Sequence, residues 1–128
     1  MKLNYAYTRL HVVDYEAVKK FYQELGFSIT FESDKYAELS TGQTKITLLE
    51  REKLAAIIGS SDVAKYAQSD DTIALSFEVT DLEETQKQLE VKGIEFINKI
   101  WTFPELGYKS AFFRDPDGNL LEVLQSIS

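Results

Sequence analysis

Two stretches of this chain set an aspartate and a glycine the same distance apart. Asp14 precedes Gly26 by 12 residues, Asp81 precedes Gly93 by 12, and both landmarks shift by 67 positions from one stretch to the other. An aspartate just before an amphipathic run can accept from the free N–H groups of the first helical turn. A glycine just after it takes the left-handed conformation that stops a helix. Between the first pair, Val18, Phe21, Tyr22 and Leu25 fall at i, i+3, i+4 and i+7, the stripe of an amphipathic helix. In the second, Glu84 follows Asp81 by three residues, the spacing of a capping box.

Strand-like segments flank both helices in the same order. LNYAYTRLHV (3–12) precedes the first, and FSITFE (27–32), KYAEL (35–39) and TKITLLE (44–50) follow it, with Ser33-Asp34 and Thr41-Gly42 as turns. TIALSFEV (72–79) precedes the second, and IEFINKI (94–100), GYKSAFFR (107–114) and NLLEVLQ (119–125) follow. A repeated order at a constant offset defines the architecture before any motif does. It predicts an α+β fold of two tandem βαβββ modules, forming a curved mixed-sheet cup with the helices outside. Module one spans 1–50 and module two 72–128, within a single domain, 1–128. The Ser-, Asp- and Gly-containing connector, 51–71, carries a short helical turn around Leu54 to Ile58.

Composition narrows the function. No apolar run approaches the roughly 20 residues of a membrane span, and MKLNYAY lacks the apolar core and cleavage site of a secretory signal. With no cysteine there is no disulfide scaffold, thiolate metal site or cysteine nucleophile. These features lead us to expect a cytoplasmic protein. A net charge of −7 repels phosphate backbones, so neither nucleic acid nor membrane is an expected partner, whereas a cationic ligand would be attracted.

The segment AFFRDPDGNLLEVL (111–124) reads as a hairpin. Pro116 presets φ for a turn, and Gly118 and Asn119 tolerate positive φ. Alternation puts Leu120, Glu122 and Leu124 on one face. An acid between two leucines is either solvated or partnered, because an isolated buried carboxylate is too costly to keep ionised.

Three segments in order, RLHVVDYEAVKKFYQELGF (9–27), FEVTDLEETQKQLEVKGI (77–94) and FFRDPDGNLLEV (112–123), resemble the vicinal oxygen chelate superfamily, the group of glyoxalase I, bleomycin resistance proteins and extradiol dioxygenases. The resemblance covers nearly the whole chain. In the metal-dependent members, four inward positions hold a divalent cation, one on each module's first strand and one on each module's last. Oxygen and imidazole ligands suit that task because they leave coordination sites open to the substrate. Carried over, the first positions fall on Tyr7 and on Ala74, or Thr72 in a looser register. The last fall on Leu48, or Thr47 one residue earlier, and on Glu122. A phenol, an aliphatic chain and a methyl beside one carboxylate do not make a cation site, so the expectation is no metal and no cofactor.

The cup that the resemblance implies would then be lined by Tyr7, Arg9, Leu48, Ala74, Ser76, Tyr108, Ser110, Phe112 and Glu122, with Trp101 at its rim. Aromatic walls with a few polar groups describe a small-molecule site. They also describe ordinary packing, and an Arg9–Glu122 ion pair would account for the acid without a ligand. The resemblance is nearest to the bleomycin-resistance-like members, small acidic metal-free homodimers that sequester a cationic drug. A metal-free binding protein for a small molecule, such as a cationic ligand or antibiotic, is therefore expected, working as a homodimer. The alternatives are a metal-dependent lyase, isomerase or dioxygenase with atypical ligands, and a metal-independent enzyme using His11 or Glu122 as base.

Overall fold

The computed structural model describes residues 1, 2, 4, 6–58, 73–104 and 106–127. The chain divides into two compact units, Met1–Ala67 and Gln68–Ser128. In the first, β1 (Thr8–Val12), α1 (Tyr15–Glu24), β2 (Ser28–Ser33), β3 (Tyr36–Ser40) and β4 (Lys45–Glu50) make one βαβββ module, followed by α2 (Arg51–Ile58). The second repeats the module as β5 (Ala74–Glu78), α3 (Leu82–Val91), β6 (Trp101–Phe103), β7 (Tyr108–Arg114) and β8 (Leu120–Ser126). The sheets are ordered β1-β4-β3-β2 and β5-β8-β7-β6. In each, the first strand runs parallel to the last and the remaining pairs are antiparallel. The α+β class and the two tandem modules are as the repeat predicts.

The helix signals act as their chemistry requires. Asp14 Oδ1 accepts from the Ala17 N–H at 3.1 Å, and Asp81 Oδ1 from that of Glu84 at 3.1 Å. Gly26 and Gly93 follow the helices at φ +104° and +92°, where a β-carbon would be strained. The DPDGN turn is organised by Asp115, which is buried. Its carboxylate accepts from the backbone N–H of Asp117 and Asn119, both at 2.9 Å, and from the Asn119 side-chain amide at 2.8 Å. Gly118 alone in that turn takes positive φ; Asn119 serves as a donor instead.

Each helix covers one face of its own sheet. Tyr15 and Lys19 of α1 both reach Glu32 at 2.6 Å, and the Lys19 ammonium holds the Glu32 carboxyl below its usual range. Glu32 is in register with Ala37, Ala37 with Leu48, and Leu48 with Leu10. The α1 side of the sheet is therefore the Leu10, Ala37, Leu48 side, buried with Val12 and Leu39 beneath Tyr15, Val18 and Tyr22. In the second unit the Leu82 N–H donates to Gln125 Oε1 at 2.8 Å and Lys109 pairs with Glu83 at 2.5 Å. That places α3 over Ala111, Phe113, Leu121 and Val123, with Leu82 and Leu89 buried.

Four expectations need correction. Strand β1 begins at Thr8, so Ala6 and Tyr7 of the expected strand precede it, and residues 3 and 5 lie outside the described residues. The α1 stripe is rotated: Tyr15, Val18 and Tyr22 are buried, whereas Phe21 and Leu25 are half-buried, because Tyr22 fills the centre, edge-on to Phe21 and Phe27 at 5.4 and 5.5 Å. The helix after β4 begins at Arg51 and is longer than a turn, while 59–71 of the connector lie outside the described residues. Finally, 94–100 is not a strand. Ile97 N–H donates to the Phe112 carbonyl, but the Phe112 N–H donates to the Asn98 side chain, both at 2.8 Å. A side-chain oxygen there replaces the backbone carbonyl of a ladder, so regular pairing starts only at Trp101.

Leu48 belongs to the core under α1. Leu48→Ala should cost roughly 2–5 kcal/mol, the range for emptying a packed leucine site, in urea unfolding monitored by circular dichroism.

Candidate functional site

The face of the second sheet away from α3 collects seven of the expected residues. Strand alternation and register put Ala74 and Ser76 of β5, Trp101 of β6, Tyr108, Ser110 and Phe112 of β7 and Glu122 of β8 on the side away from α3. Ser76, Glu122 and Phe112 form one cross-strand row. Glu122 is buried and takes a hydrogen bond from Ser76 Oγ at 2.7 Å, so the acid between leucines has its partner one strand away. Ser110 is also buried, and its hydroxyl has no hydrogen-bond partner among the described residues.

Next to this row lies a cavity of about 670 Å³. Trp101, Phe103, Phe112, Leu120 and Ile97 form its apolar walls, and Asn98, Lys99 and Arg114 supply its polar groups. Of these residues only Trp101 and Phe112 were anticipated. Leu120 and Arg114 were within reach of the sequence, since each lies two positions along its strand from Glu122 or Phe112. Ile97, Asn98 and Lys99 were not, because they sit on the irregular segment that pattern reading takes for a strand.

The first unit presents a different set on the face away from α1. Arg9, Thr47 and Glu38 form the equivalent cross-strand row. Arg9 donates through Nε to Thr47 Oγ1 at 3.0 Å and through Nη2 to the Tyr7 hydroxyl at 2.5 Å. Its guanidinium lies 5.2 and 5.5 Å from the Tyr7 and Tyr36 ring centres, and the Lys45 ammonium lies 4.9 Å from that of Tyr7. Leu48 does not join this set, being on the α1 side; its one-residue alternative, Thr47, does. Thr72, the alternative to Ala74, lies outside the described residues.

These donors do not suit a divalent cation. In the first unit, Tyr7 and Thr47 both already accept from a guanidinium, whose charge opposes a metal beside it. In the second, Ala74 offers a methyl and Glu122 one carboxylate held by Ser76. Among the described residues no three His, Asp or Glu side chains are grouped to hold a metal ion. His11 lies on the Arg9 face of β1, in register with Leu49. Burial and the nearby charges of Arg9 and Arg51 push its pKa below the ordinary 6.5.

Two βαβββ modules, each with its first and last strands paired in parallel beneath one helix, define a protein of the paired-module α+β class. The chain matches the model of the Glyoxalase/Bleomycin resistance protein/Dioxygenase superfamily over residues 4–123, and it belongs to that family. It is 34% identical over 122 residues to the uncharacterized protein YraH of Bacillus subtilis (strain 168), covering 93% of this chain and 95% of that one. A glyoxalase/bleomycin resistance protein/dioxygenase from Nocardioides superposes with a TM-score of 0.81 at 20% identity, over 100% of this chain and 87% of the other. Lactoylglutathione lyase from Agrobacterium tumefaciens gives 0.74 at 19%, over 98% and 95%. At such identities these two structures establish a shared fold and nothing about chemistry.

As the chain's single histidine, His11 can be followed directly by proton NMR. Its midpoint should lie below 6.5 and rise in Arg9→Gln without full recovery, since burial is the larger cause. The folded state favours the neutral ring, so this residue's contribution to stability should fall as pH drops below about 6.5. Ser110→Ala, which removes an unpartnered buried hydroxyl, should leave stability unchanged or raise it by about 1 kcal/mol in thermal unfolding.

Proposed function

We propose that this superfamily member is a metal-free protein that binds a small molecule on the face of its second sheet away from α3. The observation that carries the reading is the cavity beside the Ser76–Glu122–Phe112 row. Its volume of about 670 Å³ is that of a small-molecule site, and its walls are aromatic and aliphatic with few polar groups. The mismatch between the donor set and a divalent cation supports binding without a metal. A homodimer forms part of the proposal. Val13, Phe31 and Leu106 are more than half exposed in the single chain, and a second copy would shield such residues. A cytoplasmic setting agrees with this reading: no described helix is long and apolar enough to cross a membrane.

A catalytic reading has one observation in its favour. His11 with a lowered pKa is neutral at pH 7 and so able to accept a proton. An activity that follows the His11 midpoint and disappears in His11→Gln would establish it.

Elemental analysis of the purified protein separates the binding reading from the metal-dependent one. Zinc, nickel, iron and manganese should all be well below one per chain. Ligand binding, read from the fluorescence of Trp101, should survive a chelator unchanged. Stoichiometric metal, or binding abolished by chelation, would overturn the proposal.

A further inference from the structure

Ser110 carries a group that the fold does not use. The residue is 0% exposed, and its hydroxyl has no hydrogen-bond partner among the described residues. Buried polar groups in folded proteins are nearly always paired, and leaving one unmade costs the desolvation of the group. Alanine would fill the same place in β7 without that cost. The hydroxyl stands among residues of the cavity wall. Trp101 lies directly opposite Ser110 on β6, and Phe112 follows it by two positions on the same face of β7. Both belong to that wall. Residues directly opposite one another have β-carbons about 5 Å apart, so the Trp101 side chain starts beside the hydroxyl.

The hydroxyl proton needs an acceptor, and few head groups supply one here. An ammonium offers donors only. A carboxylate accepts, but Glu122 is buried on the same face, opposite Phe112 and therefore diagonal to Ser110 on the neighbouring strand. A second carboxylate there would meet like-charge repulsion where water does little to weaken it. A carbonyl oxygen accepts with neither penalty. We propose that Ser110 is the hydrogen-bond donor of this site, and that it selects a neutral ligand with an aryl or alkyl body bearing a ketone carbonyl. Ser110 is closed to solvent, whereas Trp101 is 63% exposed and has room to turn, so the carbonyl reaches the hydroxyl as the indole swings outward. The inference rests on the small-molecule reading above and deepens it by naming the group that the site recognises.

Four probes share a phenyl ring and a four-carbon chain: benzylacetone with a ketone, butylbenzene with no head group, phenylbutyrate with an anion and phenylbutylamine with a cation. Equilibrium dialysis gives the affinity of each for the native chain and for Ser110→Ala. The substitution should weaken benzylacetone roughly two- to tenfold, the effect of one lost hydrogen bond. It should leave butylbenzene and the two charged probes unchanged. Ser110→Cys, whose thiol is a weaker donor, should act in the same direction as alanine. Lys109→Gln, on the opposite face and paired with Glu83, should change nothing. Trp101 is the chain's single tryptophan, and its emission should change saturably with the midpoint found by dialysis.

Benzylacetone affinity that is the same in both Ser110 variants as in the native chain would overturn the donor assignment while leaving small-molecule binding intact. A loss shared equally by butylbenzene would do the same, since it would mark a packing effect. An equal loss for phenylbutyrate or phenylbutylamine would overturn the selection of a neutral head group. Benzylacetone binding with no change in Trp101 emission would overturn entry past the indole. Failure of all four probes to bind would overturn this inference and the small-molecule reading together.

Discussion

The parallel pairing of first strand with last, β1 with β4 and β5 with β8, is the constraint on which each unit depends. It seats the last strand between the first strand and the rest of the sheet, so that β4 and β8 have neighbours on both sides. A strand between two others fixes its register from both edges, and with side chains alternating every residue, that register decides which face every neighbour presents. The helix that connects strands one and two then covers one face. What remains is a row across three strands, Arg9–Thr47–Glu38 in one unit and Ser76–Glu122–Phe112 in the other. The chemistry of the face away from each helix follows from those rows.

The same constraint explains what the sequence made legible. Local signals survived intact: Asp14 and Asp81 as caps, Gly26 and Gly93 as stops, and DPDGN as a turn, because each acts within a few residues of itself. Alternation from the carried-over positions Ala74 and Glu122 placed Ser76, Tyr108, Ser110 and Phe112 on a common face, with Trp101 at its rim. It failed at Leu48, where the register of β4 was counted one residue out, and a one-residue slip exchanges faces. Thr47 is the true counterpart of Glu122, as the equivalent rows show. It failed again at 94–100, where Asn98 contributes a side-chain oxygen to a backbone donor. No periodicity encodes such a substitution, and the Ile97, Asn98 and Lys99 part of the cavity was hidden with it.

In the first unit the oxygen atoms on the face away from α1 are met by a guanidinium. Tyr7 and Thr47 each accept from one guanidinium, which lies between two aromatic rings. A charge-assisted donor with several N–H groups can satisfy several acceptors from one position. In the second unit a neutral hydroxyl, Ser76, meets the Glu122 carboxylate instead. The two halves of the repeat thus keep the same backbone row and fill it differently, Arg9 and Glu38 flanking Thr47 in one and Ser76 and Phe112 flanking Glu122 in the other. The duplication constrains where side chains point and leaves their chemistry free.

Net charge and local charge therefore carry different information about this protein. The −7 of the whole chain sets a weak, screened field that favours cations in the surrounding solution and helps keep the chain soluble. Coulomb energy varies inversely with distance and dielectric, so a charge a few ångströms away acts more strongly than charges spread over the surface. Glu122, buried and hydrogen-bonded to Ser76, shows how far a local partner can set the surroundings of one charge in an acidic chain. The charge of a group bound at one face would follow from the few side chains beside it more than from the isoelectric point.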